Sequence, residues 1–170
     1  LIYVGFNNAN GTEAATIRPA HMLRSFGSGW DQILVNSAGG GGNFLSVWKL
    51  TDPLNTDGNL AFNRTTITVN AYTLPPNANQ PGSGSTLDTI DCRLMPVYVD
   101  DAAPGQTTSS TLYTGLSDAS ADGTRAEARL FVVDPIAGTK ALDTSFTDGT
   151  NDYWFPTPSA EYGHNCTWVF

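Results

Sequence analysis

The sequence predicts an all-β chain: a single-domain β-sandwich or jelly roll of about eight or nine short strands, with one short helix. Three observations carry this expectation. Several stretches alternate β-branched or apolar residues with polar ones at a period of two. Clusters of Gly, Pro, Asn and Asp interrupt them at intervals of roughly 10 to 20 residues. One stretch alone has the caps and spacing of a helix. With 170 residues and 40% hydrophobic composition, the chain suits one domain, 1–170, able to bury a core without staples.

Taken in order, residues 1–6 read as a first strand and a candidate edge strand. Asn7-Asn8-Ala9-Asn10-Gly11 then enforces a loop. The helix is expected over 17–26: Thr16 caps it, Pro19 sits in its first turn, Gly27 ends it, and Met22, Leu23 and Phe26 share one stripe. Strands follow at 32–36 and 43–50, joined through four consecutive glycines. That glycine run lacks the Lys-Ser/Thr ending of a phosphate loop, so it reads as a flexible or close-packed strand connection.

The clearest strand is 63–73. Ile67, Val69 and Ala71 form its apolar face, and Thr66, Thr68, Asn70 and Tyr72 form its polar face. Residues 74–85, with three prolines, read as a loop, 89–99 as a long strand, and 111–114 as a short, weak one. Residues 125–133 alternate Ala126, Ala128, Leu130 and Val132 with Arg125, Glu127, Arg129 and Phe131. Strands at 141–146, 152–155 and 166–170 complete the expectation.

Composition narrows the function. The formal net charge is −8 and only 14% of residues are charged. Lys49 and Lys140 are the two lysines, so a nucleic-acid partner and an anionic membrane surface are both disfavoured. No apolar run approaches the roughly 20 residues that span a bilayer. The chain begins Leu1-Ile2-Tyr3-Val4, without an initiator Met or a charged-then-apolar leader, as expected of a processed chain or a fragment. The Thr, Ser, Asn and Gly surface points to an extracellular setting or the surface of a cell or particle.

The candidate chemistry is sparse. Asp118, Ser120 and Asp122 match the first half of a calcium loop, ahead of Gly123, and their oxygens can converge on Ca2+. The twelfth position is Arg129 rather than Glu, which rejects an EF-hand and leaves an ordinary polar turn as the competing reading. Cys92 and Cys166 can pair in an oxidising compartment, closing a loop of about 75 residues for roughly 4 kcal/mol. Two buried free thiols are the alternative. Asn10, Asn63 and Asn165 open N-glycosylation patterns, in a number that chance alone supplies.

Glu127 and Glu161 are the two carboxylates to consider for glycoside hydrolysis. His21 and His164 lack the context of a catalytic triad, and His164 with Cys166 falls short of a zinc set. Among the four tryptophans, Trp154 and Trp30 are the candidates for stacking on a sugar ring, and core packing is the competing role. The leading expectation is a non-catalytic structural or adhesive subunit of a filament, surface coat or capsid shell, its partners copies of itself or other subunits. Apolar segments at both ends favour strand pairing with a neighbour. The alternative is a secreted carbohydrate-binding module or a two-carboxylate glycoside hydrolase.

Overall fold

The computed structural model describes residues 5–22, 32–54, 58, 60–100, 110–161 and 165–170, and within them every regular element is a strand. In chain order these are β1 (Arg18–Pro19), β2 (His21–Met22), β3 (Gln32–Ser37), β4 (Gly41–Thr51), β5 (Ala61–Thr73), β6 (Ala78–Asn79) and β7 (Thr86–Leu87). Then come β8 (Tyr98–Asp100), β9 (Thr111–Ala119), β10 (Ala126–Asp134), β11 (Thr139–Phe146), β12 (Thr157–Glu161) and β13 (Asn165–Val169). One main sheet has the order β1-β3-β4-β5 and the other β11-β10-β9-β8-β2.

Their inner faces meet in one core. Ile33, Val35, Leu45, Val47 and Ile67 from the first sheet join Val99, Leu112, Leu116, Phe131 and Val133 from the second. Each such side chain contributes about 1.5–3 kcal/mol by leaving water. This is the all-β sandwich that the period-two patterning predicts.

The helix expected over 17–26 is not there. Residues 18–22 run extended, and 23–26 lie outside the described residues. The cap and proline signals are local, whereas long-range hydrogen bonds decide the outcome. Ala20 N–H donates to Ile33 O at 2.8 Å and His21 N–H to Val97 O at 2.7 Å. Arg18 Nε donates to Leu94 O at 3.0 Å. Pro19, with no N–H, fits a two-residue edge pairing. The segment leaves one sheet and enters the other, stitching their edges together.

The strand over 63–73 is present as β5, but one face changes along it. Ile67 and Val69 are buried as expected, and the next residue inside is Tyr72 rather than Ala71, which is exposed. The register between β4 and β5 shifts between Gly42 and Phe44, and such a bulge reverses the in–out phase. Tyr72 Oη donates to Phe44 O at 2.8 Å and accepts from Ala38 N–H at 3.0 Å. Burial pushes this hydroxyl up to about 12. A Cβ on Gly42 would sit 3.1 Å from Tyr72 Oη, and one on Gly41 (φ 104°) would sit 2.9 Å from Tyr72 O. The glycine run is therefore close-packed at its second half.

Around the bulge, carboxylates take two β5 N–H groups. Asn70 N–H donates to Asp143 Oδ2 at 2.6 Å, and Thr73 N–H to Asp118 Oδ1 at 2.8 Å. Arg129 joins the two acids: Nη1 lies 3.0 Å from Asp118 Oδ2 and Nε 2.8 Å from Asp143 Oδ1. Its Nη1 also donates to Ala71 O at 3.2 Å. Lys140 Nζ adds bonds to Asp143 Oδ2 at 2.9 Å and Asn70 Oδ1 at 3.1 Å. The Arg129, Asp118 and Asp143 side chains are 8%, 5% and 3% exposed. This network clamps the edge of one sheet to the other.

Each sheet also has an outer cover. Phe6 meets Trp48 and Phe62 edge-on at 5.5 Å and 5.0 Å, and Ser46 Oγ donates to Asn8 Oδ1 at 2.9 Å. This N-terminal segment lies on the outer face of the first sheet; the strand expected over 1–6 falls, for 1–4, outside the described residues. On the second sheet, the hairpin β12–β13 and the segment before it cover β9. Phe155 N–H donates to Ser117 Oγ at 3.2 Å, and a Cβ on Gly115 would sit 2.8 Å from Pro156 Cγ.

Three further expectations change. The strand over 89–99 is regular only at Tyr98–Asp100. Before it, Asp88 and Asp91 bend the backbone by accepting from Ile90 N–H at 2.7 Å and Arg93 N–H at 2.9 Å. The weak strand over 111–114 is instead the central nine-residue strand Thr111–Ala119. Residues 152–155 form no strand, although Tyr153 N–H reaches Ala126 O at 2.9 Å. β6, inside the loop expected over 74–85, pairs with β7 just beyond it as a small ribbon.

Candidate functional site: a cleft beside the C-terminal hairpin

The segment 148–156 leads from β11 into the C-terminal hairpin and lies open to solvent over much of its length. Its first turn is ordered by Asp148, whose Oδ1 accepts from Thr150 N–H and Asn151 N–H, each at 2.8 Å. Asp148 Oδ2 accepts from Tyr153 Oη at 2.9 Å. Donation by the Asn151 and Thr150 amides holds the Asp148 carboxyl well below the usual range, and the bond to that carboxylate pushes the Tyr153 hydroxyl up. Asp152 then anchors the segment: Oδ1 accepts from Ala126 N–H at 2.8 Å and Oδ2 from Asn79 N–H at 3.0 Å. Phe155 takes a left-handed backbone conformation, φ 56°, which is unusual outside glycine.

Two adjoining cavities result. One, of about 490 Å³, is lined by Tyr153, Trp154, Phe155, Val169 and Phe170, with Asp152 and Thr157. The other, of about 390 Å³, is lined by Asn79, Gln80, Thr124, Arg125 and Asn151, again with Asp152. The first is apolar and aromatic, and the second offers amides, hydroxyls and one guanidinium. Arg125 reaches Asp122 only at 3.6 Å, and its Nε is buried without a partner.

Trp154, the stacking candidate of the sequence, is half-buried and lines the apolar cavity. Trp30 lies outside the described residues, as do Tyr162 and His164. His21 is exposed, its ring edge-on to Tyr98 at 5.5 Å. Glu127 has the parity of Arg129 and Phe131 and so stands on the inner face of its sheet. Glu161 ends β12, in the hairpin on the outer face. The sheet separates these carboxylates, so they do not face each other across a cleft.

The three calcium-loop residues take separate roles. Asp118 is held by Arg129 and two backbone amides. In the turn beyond it, Ser120 Oγ and Thr124 Oγ1 donate to Asp122 Oδ1 at 2.6 Å and 2.8 Å. These donors hold the Asp122 carboxyl well below the usual range. Among the described residues no group of three or more His, Cys, Asp or Glu side chains is placed to hold a metal ion.

Cys92 and Cys166 are free thiols in this structure, Cys92 buried and Cys166 partly exposed. Cys92 belongs to the core between the main sheets, its carbonyl accepting from Ser37 Oγ, whereas Cys166 pairs with Ala160 in the outer hairpin. Burial pushes the Cys92 thiol up to about 12. Thiol titration is expected to find two free thiols per chain after unfolding, with Cys92 silent in the native protein; one thiol or none after unfolding would contradict the unlinked pair.

The glycosylation-pattern asparagines Asn10, Asn63 and Asn165 are all exposed. Asn10 Oδ1 accepts from Thr12 Oγ1 at 2.7 Å, and Asn165 Nδ2 donates to Glu161 Oε1 at 3.0 Å. The residues that sequence reasoning missed are Asn79, Arg125 and Asp152, which come from three separate parts of the chain: the end of β6, the residue before β10 and the segment after β11. The buried polar pairings of Asp152 have no local signal in the sequence. No family model matches the chain, and neither a curated protein nor a solved structure is significantly similar to it.

Proposed function

We propose that the chain is a non-catalytic structural or adhesive subunit of a larger extracellular assembly, a filament, surface coat or shell, and that it meets its neighbours through the C-terminal hairpin. The observation that supports this reading is a contiguous apolar surface at that hairpin. Val169 is 65% exposed, Phe170 41% and Phe146 40%, and the Phe146 and Phe170 rings lie 4.2 Å apart. Scattered exposed apolar residues are ordinary, but a grouped patch marks a contact surface. The ribbon β12–β13 pairs with no further strand among the described residues, leaving strand edges open to addition.

Sedimentation over a rising concentration series tests the reading. The expected result is self-association that the double variant Val169→Asp/Phe170→Asp abolishes without lowering the melting temperature by more than a few degrees. A chain that stays monomeric at every concentration, or association indifferent to these two changes, rejects it.

A second reading, a secreted carbohydrate-binding module, is favoured by Trp154 lining an open cavity beside a polar one. The hydrolase form of that reading loses support, because Glu127 and Glu161 lie on opposite faces of a sheet.

A further inference from the structure

We infer that the two cavities sharing Asp152 form a single cleft for a neutral saccharide of at least two rings, with one ring over Trp154 and the next against Arg125; this rests on the carbohydrate-binding reading and excludes a neighbouring copy seated on Val169 and Phe170, which line the same cavity. A pyranose carries an apolar C–H face and a polar hydroxyl rim, and adjacent rings of an oligosaccharide present both along one extended ligand. The cleft has the matching division. Its apolar half is lined by Tyr153, Trp154 and Phe155, and aromatic side chains bury large apolar area with few rotatable bonds. Its polar half holds the amides of Asn79, Gln80 and Asn151, with Thr124 and Arg125. Cavities of about 490 and 390 Å³ fall within the roughly 300–1,000 Å³ usual for small-ligand sites.

Arg125 is the residue most altered by a ligand. Its guanidinium makes no hydrogen bond within the described residues beyond the 3.6 Å ion pair to Asp122, and Nε is already out of water. Ligand hydroxyls accepting from its terminal nitrogens would give the guanidinium the partners it lacks. Asp152 is fixed by two backbone amides and stands between the halves, so it shapes the junction and disfavours an anion there. With Asp122 also nearby and a net charge of −8, an uncharged ligand suits the cleft and an acidic polysaccharide does not.

The test is titration calorimetry with neutral tetrasaccharides of β-1,4-glucose, β-1,3-glucose, β-1,4-mannose and β-1,4-N-acetylglucosamine, each beside its monosaccharide, and with a tetrasaccharide of galacturonate. At least one neutral tetrasaccharide is expected to bind well above its monosaccharide. Trp154→Ala is expected to weaken it about tenfold or more, and Arg125→Gln about three- to tenfold. Near-UV circular dichroism and melting temperature check that both variants remain folded; Trp154→Phe and Arg125→Lys supply milder changes if either does not.

Binding that needs Trp154 but ignores Arg125, or a monosaccharide as tight as its tetramer, overturns the joined cleft while leaving the carbohydrate-binding reading standing. Tighter binding of the galacturonate ligand overturns the neutral assignment. No binding across the panel overturns both the cleft and the reading beneath it.

Discussion

Arg129→Met is expected to destabilise the protein by about 3–5 kcal/mol, the range found when one partner of a buried ion pair is removed. The methionine keeps most of the apolar stem but leaves Asp118 and Asp143, 5% and 3% exposed, without their shared cation. It also strips Ala71 O of a donor beside the bulge in β5. Urea unfolding measures the effect as a lower midpoint at unchanged slope; a loss below about 1 kcal/mol would show the network to be dispensable.

The usual remedy for a buried ion pair, apolar replacement of every member, is not expected to restore this site. Both carboxylates also accept backbone N–H groups, from Asn70 and Thr73, and an apolar triple variant removes both acceptors.

The same cluster gives the stability a sign in pH. Burial alone would raise Asp143, but the Asn70 amide, Lys140 and Arg129 outweigh it and the net shift is downward. A carboxyl depressed on folding stabilises above its unfolded value of about 3.9 and loses that contribution as pH falls toward the folded value. The stability gap between wild type and Arg129→Met is therefore expected to narrow between about pH 5 and pH 2. A gap that stays constant or widens on acidification contradicts the assignment.

Gly115→Val is expected to cost about 1–3 kcal/mol or more through overpacking. Even the first atom of the new side chain would lie 2.6 Å from Arg129 O and 2.8 Å from Pro156 Cγ, so either the sheet or the outer segment must move. The segment is the softer partner, since the hairpin rests on the second sheet as a separate two-stranded ribbon. Limited proteolysis is thus expected to cut the variant earlier around residues 148–156 while the two main sheets persist. Cleavage unchanged from wild type, together with unchanged stability, contradicts the tight contact at Gly115.

The sandwich was legible where burial on one face and local patterning agree. β3, β4 and the first part of β5 are such cases, and Ile67 and Val69 went inside as their alternation requires. It failed where distant partners decide. The cap-like Thr16, Pro19 and Gly27 resemble a helix, yet the amide of Ala20 finds its acceptor at Ile33 in β3 and that of His21 at Val97, just ahead of β8 in the other sheet. β9 continues past residue 114 because Gly115 and Asp118, turn residues by local preference, take long-range roles: the glycine makes room for Pro156 and the aspartate meets Arg129.

Tyr72 changed faces because a bulge depends on pairing with β4, which one strand's sequence does not encode. Trp154 stood out in the sequence because three adjacent aromatics cannot all enter one core. Arg125, Asn79 and Asp152 did not, since only the fold brings these three segments together.

The stitch at 18–22 carries a consequence for how the chain reaches this structure. Its pairing with β3 closes a short stretch of chain, but β2 runs parallel to β8 and Arg18 bonds Leu94 across 76 residues. Contacts of that separation must overcome loop-closure entropy before they return any stabilisation. The β3–β5 and β8–β11 meanders are each able to zip locally, so joining them through this segment is the expected late, rate-limiting event of folding. Until it completes, both sheets have an uncovered edge at the same end, and that interval is when the chain is most exposed to pairing with another copy of itself.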